Sequence, residues 1–567
     1  MEKNIHGLIN MRKKKKSTLE ETFTLAYQKH KENDFKEAEN LYKKILELHP
    51  KHFETIFLLG SLSLQTNNLI RAKKLLRNAS VINPKHSQTH NNLGIVLKKL
   101  GERIEAINCF EKAIETNPKH PQAFNNLGTI HKELGKLIEA KNYYQKAIEI
   151  QPNYANAYNN LGIVFKELEE MDKAMNCYKK ALEIQSNLPE AHSNLGLIYR
   201  ELGEHEKSIS CYEKAIKCKP KNLANYYSLS ELNEEILDSD LQPLIIEIME
   251  NINCTKKNKA FSNYLLSKYE KKSKNYKKEI DHLIKGHQHY FENNRKEYQI
   301  QNEYFLNQLP KINELNNTKK LNDTSIEVNN EIKPIYIIGV PRCGSTLIER
   351  VIASGTKYVP IGEETLIIHS IVEEKLNLKQ RLDSNLENFK EKIIEKYKQK
   401  RLILEKYDNT FTDKSLSNFF YLALIKKIFN NAKIINCKRN PLSSIMSIFQ
   451  NNLISIGWTH KLENIFKYFD IYYRIMNNFK KIFPNYIYDV EYERFVCHPE
   501  EESKKLMKFC ELPWDKKCLE YYKRKDLISQ TASNIQIRSA IYKHSLEKYL
   551  PYKKFLNQYG EKYSWFN

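Results

Sequence analysis

A short loop near the middle of the chain, residues 339–346, has the residue types that bind an anion through backbone amides and hydroxyl groups. It follows a short apolar, β-rich run, Ile335–Ile338, and precedes a helix-like stretch over 347–354. This order predicts a strand, a loop and the N-terminus of a helix. Successive N–H groups at such a place converge on a phosphate-like group, and the hydroxyls of Ser345 and Thr346 add donors. We therefore expect an anion-binding site here.

The loop differs at one position from the loop of nucleoside triphosphatases. Gly339 and Gly344 fit the pattern G-x-x-x-x-G-K-[ST], but Ser345 stands where the pattern has lysine. A nucleoside triphosphatase would lose the cation that neutralises its terminal phosphates. Arg342 supplies a positive charge from a different place in the loop. The pattern therefore disfavours a nucleoside triphosphatase.

The run Pro341–Leu347, read as Pro-Arg-Cys-Gly-Ser-Thr-Leu, resembles the 5′-phosphosulfate-binding loop of sulfotransferases and is closest to the protein-tyrosine sulfotransferase branch. Members of this family use 3′-phosphoadenosine 5′-phosphosulfate (PAPS) as the donor and require no metal. The resemblance implies a three-layer, P-loop-like α/β domain with a parallel central sheet. It also implies donor contacts from the loop residues Arg342, Cys343, Gly344, Ser345 and Thr346.

Two downstream segments resemble the catalytic motifs of the same family. In Gly362-Glu363-Glu364-Thr365, the resemblance assigns the second glutamate, Glu364, as the general base toward the acceptor hydroxyl. In Thr412-Asp413-Lys414, it assigns Lys414 to neutralise the leaving side of the donor, although Ser415-Leu416 replaces the usual Asp-Pro. Arg342 of the loop completes the predicted catalytic set.

The remaining motifs resemble the part of the family's site that holds the nucleotide. After a predicted strand over 433–438, Arg439-Asn440-Pro441 with Ser447 resembles the 3′-phosphate-binding motif, with Asn440 in place of the usual Asp. Tyr492-Glu493 resembles a Tyr-Glu pair beside the nucleotide, and Thr531-Ala532-Ser533 with Gln536 and Arg538 resembles a closing C-terminal segment. The resemblance therefore implies nucleotide contacts from Arg439, Ser447, Tyr492 and Arg538.

Each motif also has an ordinary structural interpretation. The two glutamates could begin a solvated helix, Lys414 could be a surface lysine, and Ser447 could be a hydroxyl on a helix face. Four motifs in family order over 334–567 favour a PAPS-dependent sulfotransferase that acts on an acceptor hydroxyl. Protein tyrosine is the first expected acceptor, and a glycan or a small alcohol is the alternative. A non-catalytic repeat scaffold with a relic PAPS-binding domain is the other class of function.

The N-terminal part of the chain repeats every 34 residues. One column of small residues is Ala26, Gly60, Gly94, Gly128, Gly162 and Gly196, and one aromatic column is Phe110, Tyr144, Tyr178 and Tyr212. The small residues allow the two helices of a unit to approach, and we expect the aromatic ring to fill the space between units. The columns resemble those of the tetratricopeptide repeat. We expect an α-helical superhelix over 19–256 and a helical extension over 257–315.

One polar column of the repeats is placed to bind a polypeptide. Asn92, Asn126, Asn160 and Asn194 fall on the first helix of their units, which lines the concave groove of such superhelices. Asparagine offers a donor and an acceptor, and so can hold an extended backbone of any sequence. The column resembles the asparagine ladder of O-linked N-acetylglucosamine transferases, which holds acceptor polypeptides. The alternative is helix capping with hydrogen bonds between repeats, and either way we expect a groove for a polypeptide acceptor or partner protein.

Composition limits the remaining functions. The formal charge is +22, but the basic residues are spread over all 567 residues and no nucleic-acid-binding module is present, so we expect no nucleic-acid partner. The ten cysteines form no Cys-x-x-Cys pair. His52, His86 and His120 follow the repeat period and are assigned to the repeat consensus. Neither a metal site nor a disulfide framework is therefore expected.

The polar segments complete the predicted organisation. Residues 1–18 form a basic arm without the apolar stretch of a signal peptide, and no apolar run is long enough to span a membrane. We therefore expect a cytoplasmic protein. A polar stretch over 316–333 is predicted to be a linker, and the sulfotransferase-like domain is expected over 334–567.

Overall fold

The computed structural model of the protein describes residues 19–311, 332–377, 386–404, 409–524, 536–541 and 546–566. The chain divides into two compact units, residues 1–195 and 196–567. The predicted basic arm over 1–18 and most of the predicted linker over 316–333 lie outside the described residues. The predicted domain limits stay predictions.

The first unit consists of consecutive helices that pack as pairs, as the 34-residue period predicts. Its helices are α1 (19–31), α2 (Phe35–Leu48), α3 (Phe53–Gln65), α4 (Leu69–Ile82), α5 (Ser87–Lys99), α6 (Arg103–Thr116), α7 (Pro121–Glu133), α8 (Leu137–Ile150), α9 (Ala155–Glu167), α10 (Met171–Ile184) and the first part of α11 (Pro189–Leu202). The closest pairs are α3 with α4, α5 with α6, α7 with α8 and α9 with α10.

Four glycines of the small-residue column, Gly94, Gly128, Gly162 and Gly196, face an aromatic ring of their own repeat, and Gly60 faces Leu76. A Cβ atom at Gly94 would lie 2.6 Å from the ring of Phe110, and one at Gly128 would lie 2.8 Å from the ring of Tyr144. The rings are fully buried. The sequence analysis expected these rings between units, and the structure instead places each one against the glycine of the same unit. The missing side chain is what allows the two helices to approach this closely.

The periodic histidines cap helices. The Nδ1 atom of His52 accepts a hydrogen bond from the backbone N–H of Thr55, and that of His120 accepts one from the N–H of Ala123. His86 contacts the hydroxyl of Thr89 at 2.8 Å. His52 and His120 therefore satisfy N–H groups at helix N-termini, and His86 occupies the same N-cap position without such a bond, in agreement with the assignment of all three to the repeat consensus.

The second unit begins with further helices. They are the rest of α11, α12 (His205–Cys218), α13 (Leu223–Ser230), α14 (Leu241–Glu250), α15 (Lys256–Lys272), α16 (Tyr276–Asn293) and α17 (Arg295–Glu303). Helices α15 and α16 pack closely together. They lie in the predicted helical extension.

An α/β domain follows these helices. Its elements are β1 (Lys333–Gly339), α18 (Ser345–Ala353), α19 (Ile367–Asn377), α20 (Leu386–Gln399), β2 (Thr410–Asp413), α21 (Leu422–Ile428), β3 (Lys433–Lys438), α22 (Pro441–Gln450), α23 (Leu462–Ile482), β4 (Ile487–Glu491), α24 (Tyr492–Cys497), α25 (Pro499–Phe509) and α26 (Lys553–Gly560). The four strands form one parallel sheet in the order β2-β1-β3-β4. The predicted combination of a helical repeat region and a parallel α/β domain is confirmed.

The sheet order fixes where a ligand can bind. Strand β1 pairs with β2 on one side and with β3 on the other, with Tyr336 opposite Asp413 and Gly339 opposite Cys437. The connections after β1 and β3 therefore leave the sheet around a topological switch point. In open parallel sheets, ligands bind at such a point, outside the carboxyl ends of the strands.

One hydrophobic core joins the helices of the second unit to the sheet. Buried polar contacts add to it. Glu279 of α16 accepts hydrogen bonds from the hydroxyl of Tyr552 at 2.7 Å and from the side-chain amide of Gln450 at 2.8 Å. His287 of the same helix donates to the backbone oxygen of Phe449 at 2.7 Å. The helical extension is therefore part of the support for α22, which follows β3.

Candidate active site

The loop after β1 has the backbone conformation of a tight anion-binding turn. Arg342 has φ of 67° and Gly344 has φ of 95°, both in the left-handed region, and helix α18 begins at Ser345. Gly344 requires the absence of a side chain, because a Cβ atom there would overlap the ring of Tyr492. The first N–H groups of α18 have no partner within the helix, so this end of the helix favours an anion.

Two arginines meet at the loop. The Nε of Arg342 donates to the hydroxyl of Ser447 at 3.0 Å, and a terminal nitrogen of Arg439 donates to the backbone oxygen of Arg342 at 3.0 Å. The guanidinium of Arg439 also lies over the ring of Tyr492, 4.8 Å from its centre. The structure thus brings four predicted donor-site residues, Arg342, Arg439, Ser447 and Tyr492, into one connected group.

The turn after β3 is held by side-chain caps. The side-chain oxygen of Asn440 accepts a hydrogen bond from the N–H of Ser443, and the carboxylate of Glu493 accepts one from the N–H of Asn440. Asparagine caps a helix N-terminus as well as aspartate does. Asn440 therefore orders this turn although it replaces the usual Asp, and Glu493 holds the turn next to Tyr492.

Lys414 connects the end of β2 to the same loop. Its ammonium lies 3.1 Å from the hydroxyl of Thr346, 2.5 Å from Oε1 of Glu363 and 3.3 Å from Oε2 of Glu349. The side chain is 1% exposed. Burial opposes the charge, but the carboxylates of Glu349 and Glu363 outweigh it and raise the pKa of Lys414. The site therefore holds a charged lysine beside the predicted donor loop.

Buried carboxylates fix the position of this lysine. Glu349 of α18 is fully buried and accepts a hydrogen bond from the hydroxyl of Thr412 at 2.9 Å. Asp413 is also fully buried and accepts hydrogen bonds from the hydroxyls of Tyr397, Thr365 and Ser415. The sequence analysis missed Glu349. Its signal was the charged pair Glu349-Arg350 inside an otherwise apolar stretch of a predicted helix.

The two adjacent glutamates differ in their contacts. Residues 360–363 run beside the end of β2, where the N–H of Lys414 donates to the backbone oxygen of Gly362 at 2.8 Å. Glu363 is directed to Lys414. Glu364 has φ of 50°, and its side chain is exposed, although the surrounding protein displaces enough water to raise its pKa. The general base was expected at Glu364, and the structure places the neighbouring Glu363 in contact with Lys414.

Arg538 contacts the backbone at the C-terminal end of α11. Its guanidinium donates to the backbone oxygen of Glu201 at 3.1 Å and packs on Gly203, where a Cβ atom would lie 2.7 Å from it. Its neighbours Ile537 and Ile541 line a depression together with the loop, Arg439 and Tyr492. This hydrogen bond uses one of the five N–H donors of the guanidinium, and the nucleotide contact expected of Arg538 stays a prediction. The predicted segment 531–533 lies outside the described residues.

The asparagine column forms a ladder between repeats. The side-chain nitrogens of Asn126, Asn160 and Asn194 donate to the side-chain oxygens of Asn91, Asn125 and Asn159 of the preceding unit, at 3.0, 3.0 and 2.9 Å. Asn92 donates in the same way to the hydroxyl of Ser61. The four residues of the column are half-buried. Hydrogen bonding between repeats, one of the two interpretations of the column, is therefore present.

Two further properties of the described residues bear on the expectations above. No helix among them is long and apolar enough to cross a membrane. No group of three or more histidine, cysteine or acidic residues among them is arranged to hold a metal ion. The expectation that the reaction needs no metal stays a prediction.

Comparisons with protein families match both parts of the chain. Residues 334–516 match the sulfotransferase family. Residues 85–153, 120–187 and 189–222 match the tetratricopeptide repeat. Residues 31–113 also match a family described as anaphase-promoting complex, cyclosome, subunit 3.

Individual relatives match parts of the chain. Protein-tyrosine sulfotransferase 1 of Danio rerio is 29% identical over 215 residues, which are 33% of this chain and 55% of the relative. An uncharacterized protein of Aquifex aeolicus is 34% identical over 239 residues, 40% of this chain and 31% of the relative. The chain thus spans about a third to about half of the length of these relatives.

Among solved structures, the crystal structure of MamA is 27% identical, with a TM-score of 0.27, over 28% of this chain and 94% of that chain. The structure of the Cut9-Hcn1 hetero-tetramer of the APC/C is 16% identical, with a TM-score of 0.36, over 37% of this chain and 42% of that chain. The family matches and the parallel sheet agree with the motifs. The chain combines tetratricopeptide repeats with a sulfotransferase family domain over residues 334–516.

Proposed function

We propose that this protein transfers a sulfuryl group from PAPS to an acceptor hydroxyl, with protein tyrosine as the first acceptor class. One observation carries the proposal: Lys414, Arg342 and Arg439 converge on the glycine loop at the switch point of the sheet. A cationic site of this shape suits a donor with anionic groups at two places. The sulfotransferase family match makes PAPS the donor of choice.

The residues present fit this donor. Gly344 leaves a space in the loop that a Cβ atom would fill, and Ser345 and Thr346 place hydroxyls at the start of α18. We assign Arg342, Cys343, Gly344, Ser345 and Thr346 to the phosphosulfate end. Arg439 and Ser447 are assigned to the 3′-phosphate, and Tyr492 to the nucleoside beside them. When bound, PAPS supplies the activated sulfuryl group.

The chain's own groups then have defined tasks. The ammonium of Lys414 and the guanidinium of Arg342 stabilise negative charge that develops during an in-line displacement. The loop and the two arginines hold the reacting groups in line, which replaces a bimolecular encounter by a positioned one. A carboxylate beside Lys414 accepts the proton of the acceptor hydroxyl.

We assign this base to Glu363, in preference to Glu364. Geometry decides before pKa in the choice of a general base. Glu363 contacts Lys414, which in turn contacts Thr346 of the loop, whereas the side chain of Glu364 is exposed. The raised pKa of Glu364 would favour a proton acceptor, and Glu364 is therefore the alternative base.

The repeats are assigned to the acceptor. In the ladder of the first unit, the side-chain nitrogens of Asn126, Asn160 and Asn194 are used by neighbouring repeats. A carboxamide oxygen has two lone pairs and can accept hydrogen bonds from peptide N–H groups. This supports a polypeptide in the groove, either as the acceptor or as a partner. A cytoplasmic location stays a prediction.

The test is transfer of label from radiolabelled PAPS by the full chain to tyrosine peptides, to a glycan and to a small alcohol. Label on tyrosine peptides supports the proposal. Label only on a glycan or an alcohol would show that this class, and not protein tyrosine, is the acceptor. The variant Lys414→Met is expected to lower turnover about 100-fold or more, because it removes a cation from the reacting group. Binding of PAPS without transfer to any of the three classes would favour the non-catalytic scaffold.

A further inference from the structure

Two buried cysteines meet beneath the anion-binding loop. Cys343 lies in the loop between the two left-handed residues, and Cys437 is the residue of β3 opposite Gly339. A Cβ atom at Gly339 would lie 2.8 Å from the sulfur of Cys343 and 2.8 Å from the backbone oxygen of Cys437. The missing side chain of Gly339 therefore leaves room for the sulfur of Cys343 next to the backbone of Cys437, and the side chains of the two cysteines are hydrogen-bond partners.

The surroundings of Cys343 favour its thiolate. Hydrogen bonds from Cys437 and from the amide and hydroxyl of Ser345, together with the charge of Arg439, lower the pKa of Cys343 although it is buried. The hydrogen bond with Cys343, together with burial, raises the pKa of Cys437. Helix N-termini and nearby cations activate cysteines in the same way. The groups that suit the loop to an anionic donor thus also suit Cys343 to react as an anion.

We propose that Cys343 and Cys437 are an oxidation site, at which hydrogen peroxide joins the two sulfurs in a disulfide that disables the loop. The disulfide follows from the placement of the cysteines, and its effect on donor binding rests on the proposed function. Neither cysteine belongs to another disulfide, since both are free thiols in the structure.

The chemistry is a two-step, two-electron oxidation. The thiolate of Cys343 attacks one oxygen of hydrogen peroxide, the O–O bond breaks, and a sulfenic acid and hydroxide form. The sulfur of Cys437 then attacks the sulfenic sulfur, its proton leaves with the hydroxyl as water, and the S–S bond forms. The two thiols lose two electrons in total, and the peroxide is reduced to water. A dithiol reductant reverses the reaction.

The disulfide would change the loop. An S–S bond is about 2.05 Å long, which is much shorter than a hydrogen bond between two thiols. Cys343 is fixed between Arg342 and Gly344, so pulling its sulfur toward β3 moves the amides on either side of it. A shift of about 1 Å in a positioned site costs about 100-fold in rate. Arg342 and Gly344, on either side of Cys343, line the depression beside the loop, and in this proposal peroxide takes that path to the buried pair. A bound nucleotide should block that path.

The experiment treats the reduced full chain with hydrogen peroxide and maps its cysteines under non-reducing conditions. Trypsin cleaves after Arg342, Arg350, Lys433 and Lys438, so the pair would appear as one cross-linked peptide made of residues 343–350 and 434–438. We expect this peptide to form, to disappear with dithiothreitol, and to form at least threefold more slowly with saturating adenosine 3′,5′-bisphosphate. Affinity for that nucleotide should fall at least tenfold on oxidation and return on reduction.

Variants separate the effect of the disulfide between Cys343 and Cys437 from that of oxidation elsewhere in the chain. Cys437→Ala should give no cross-linked peptide, and Cys497→Ala, which removes an exposed cysteine, should behave as the unchanged protein. Absence of the cross-link while the exposed Cys218 and Cys497 are oxidised would overturn the proposal. So would a cross-link that leaves nucleotide affinity unchanged. Failure of the reduced protein to bind the nucleotide would instead count against the proposed function, and the disulfide would still be judged by the peptide map.

Discussion

The ammonium of Lys414 lies 3.1 Å from the hydroxyl of Thr346, so a lysine at the end of β2 reaches the loop after β1. In the loop pattern of nucleoside triphosphatases, the lysine belongs to the loop itself, and here Ser345 occupies that position. The cation is therefore not lost but comes from the neighbouring strand. This relationship explains how a loop without lysine can still stabilise a charged transferring group.

The first prediction compares the two adjacent glutamates. Glu363→Gln should lower turnover about 100-fold or more, because it removes the carboxylate in contact with Lys414 while keeping the shape of the side chain. Glu364→Gln should stay within about threefold. The measurement is transfer from PAPS at saturating acceptor, with thermal melting to show that both variants fold. The reverse order of effects would return the base to Glu364.

The second prediction concerns Glu349 as a positioning residue for Lys414. The carboxylates of Glu349 and Glu363 raise the pKa of Lys414 against the effect of burial. Glu349→Gln removes one of them, so the pKa of Lys414 should fall and the loss of turnover at alkaline pH should begin at lower pH. The measurement is the pH profile of turnover for the variant and the unchanged protein. If the variant had a lower rate but lost turnover at the same alkaline pH as the unchanged protein, the role of Glu349 would be merely structural.

The third prediction is a loss of stability in mild acid. Burial lowers the pKa of His287 to about 4, and burial together with His287 lowers that of His460 to about 2. Both are neutral in the folded protein, whereas an unfolded histidine binds a proton near pH 6.5. Unfolding therefore takes up protons below pH 6.5. The stability that comes from burying the two uncharged histidines is fully present above that pH and is lost as the pH falls toward their pKa values in the folded protein. The free energy of unfolding should fall by about 2 kcal/mol per histidine between pH 6.5 and 5.

Tryptophan fluorescence measures this effect in the second unit, because all three tryptophans, Trp458, Trp514 and Trp565, lie within it. Urea unfolding at several pH values gives the slope of the free energy of unfolding against pH. His287→Gln keeps a donor for the backbone oxygen of Phe449 and should make the slope shallower. An equal slope in this variant would contradict the assignment to the histidine pair.

The fourth prediction tests the packing of the repeats. Gly94→Ala should destabilise the first unit by about 1–3 kcal/mol, because the new methyl group would overlap the buried ring of Phe110. Thermal unfolding followed by far-ultraviolet circular dichroism measures the loss. Adding Phe110→Leu to this variant should restore part of the stability, since the smaller side chain makes room. If the loss of stability in the double variant equalled the sum of the losses in the two single variants, the ring and the glycine would not interact.

Local and periodic features were predictable from the sequence. The spacing of Gly94 and Phe110 identified paired helices, and the loop around Gly344 lies between a strand and a helix as expected. These features depend on residues close in sequence, or on a periodic spacing that indicates which helices are adjacent. The residue types of the loop also identified Arg342 as a member of the site.

Contacts between distant elements were not predictable in this way. Tyr552 and Glu279 are 273 residues apart, and no local pattern joins them. Tertiary packing likewise decided that Glu363 contacts Lys414, because two adjacent glutamates cannot be told apart by motif alone. The contact of Arg538 with Glu201 was not predictable for the same reason, since the partner is a backbone oxygen, which carries no side-chain signal.

The most direct test of the central claim is titration of the full chain with adenosine 3′,5′-bisphosphate. Arg439→Ala should weaken binding about tenfold to 100-fold, because it removes a charged donor from the connected group around the loop. The matched control is Lys438→Ala, which removes the adjacent charge, one that pairs with Asp489 and Glu491. The unchanged protein and the Lys438 control should bind the nucleotide equally well, the Arg439 variant should bind it more weakly, and ATP should bind more weakly to all three. Equal binding of ATP, or equal loss in both variants, would contradict this claim.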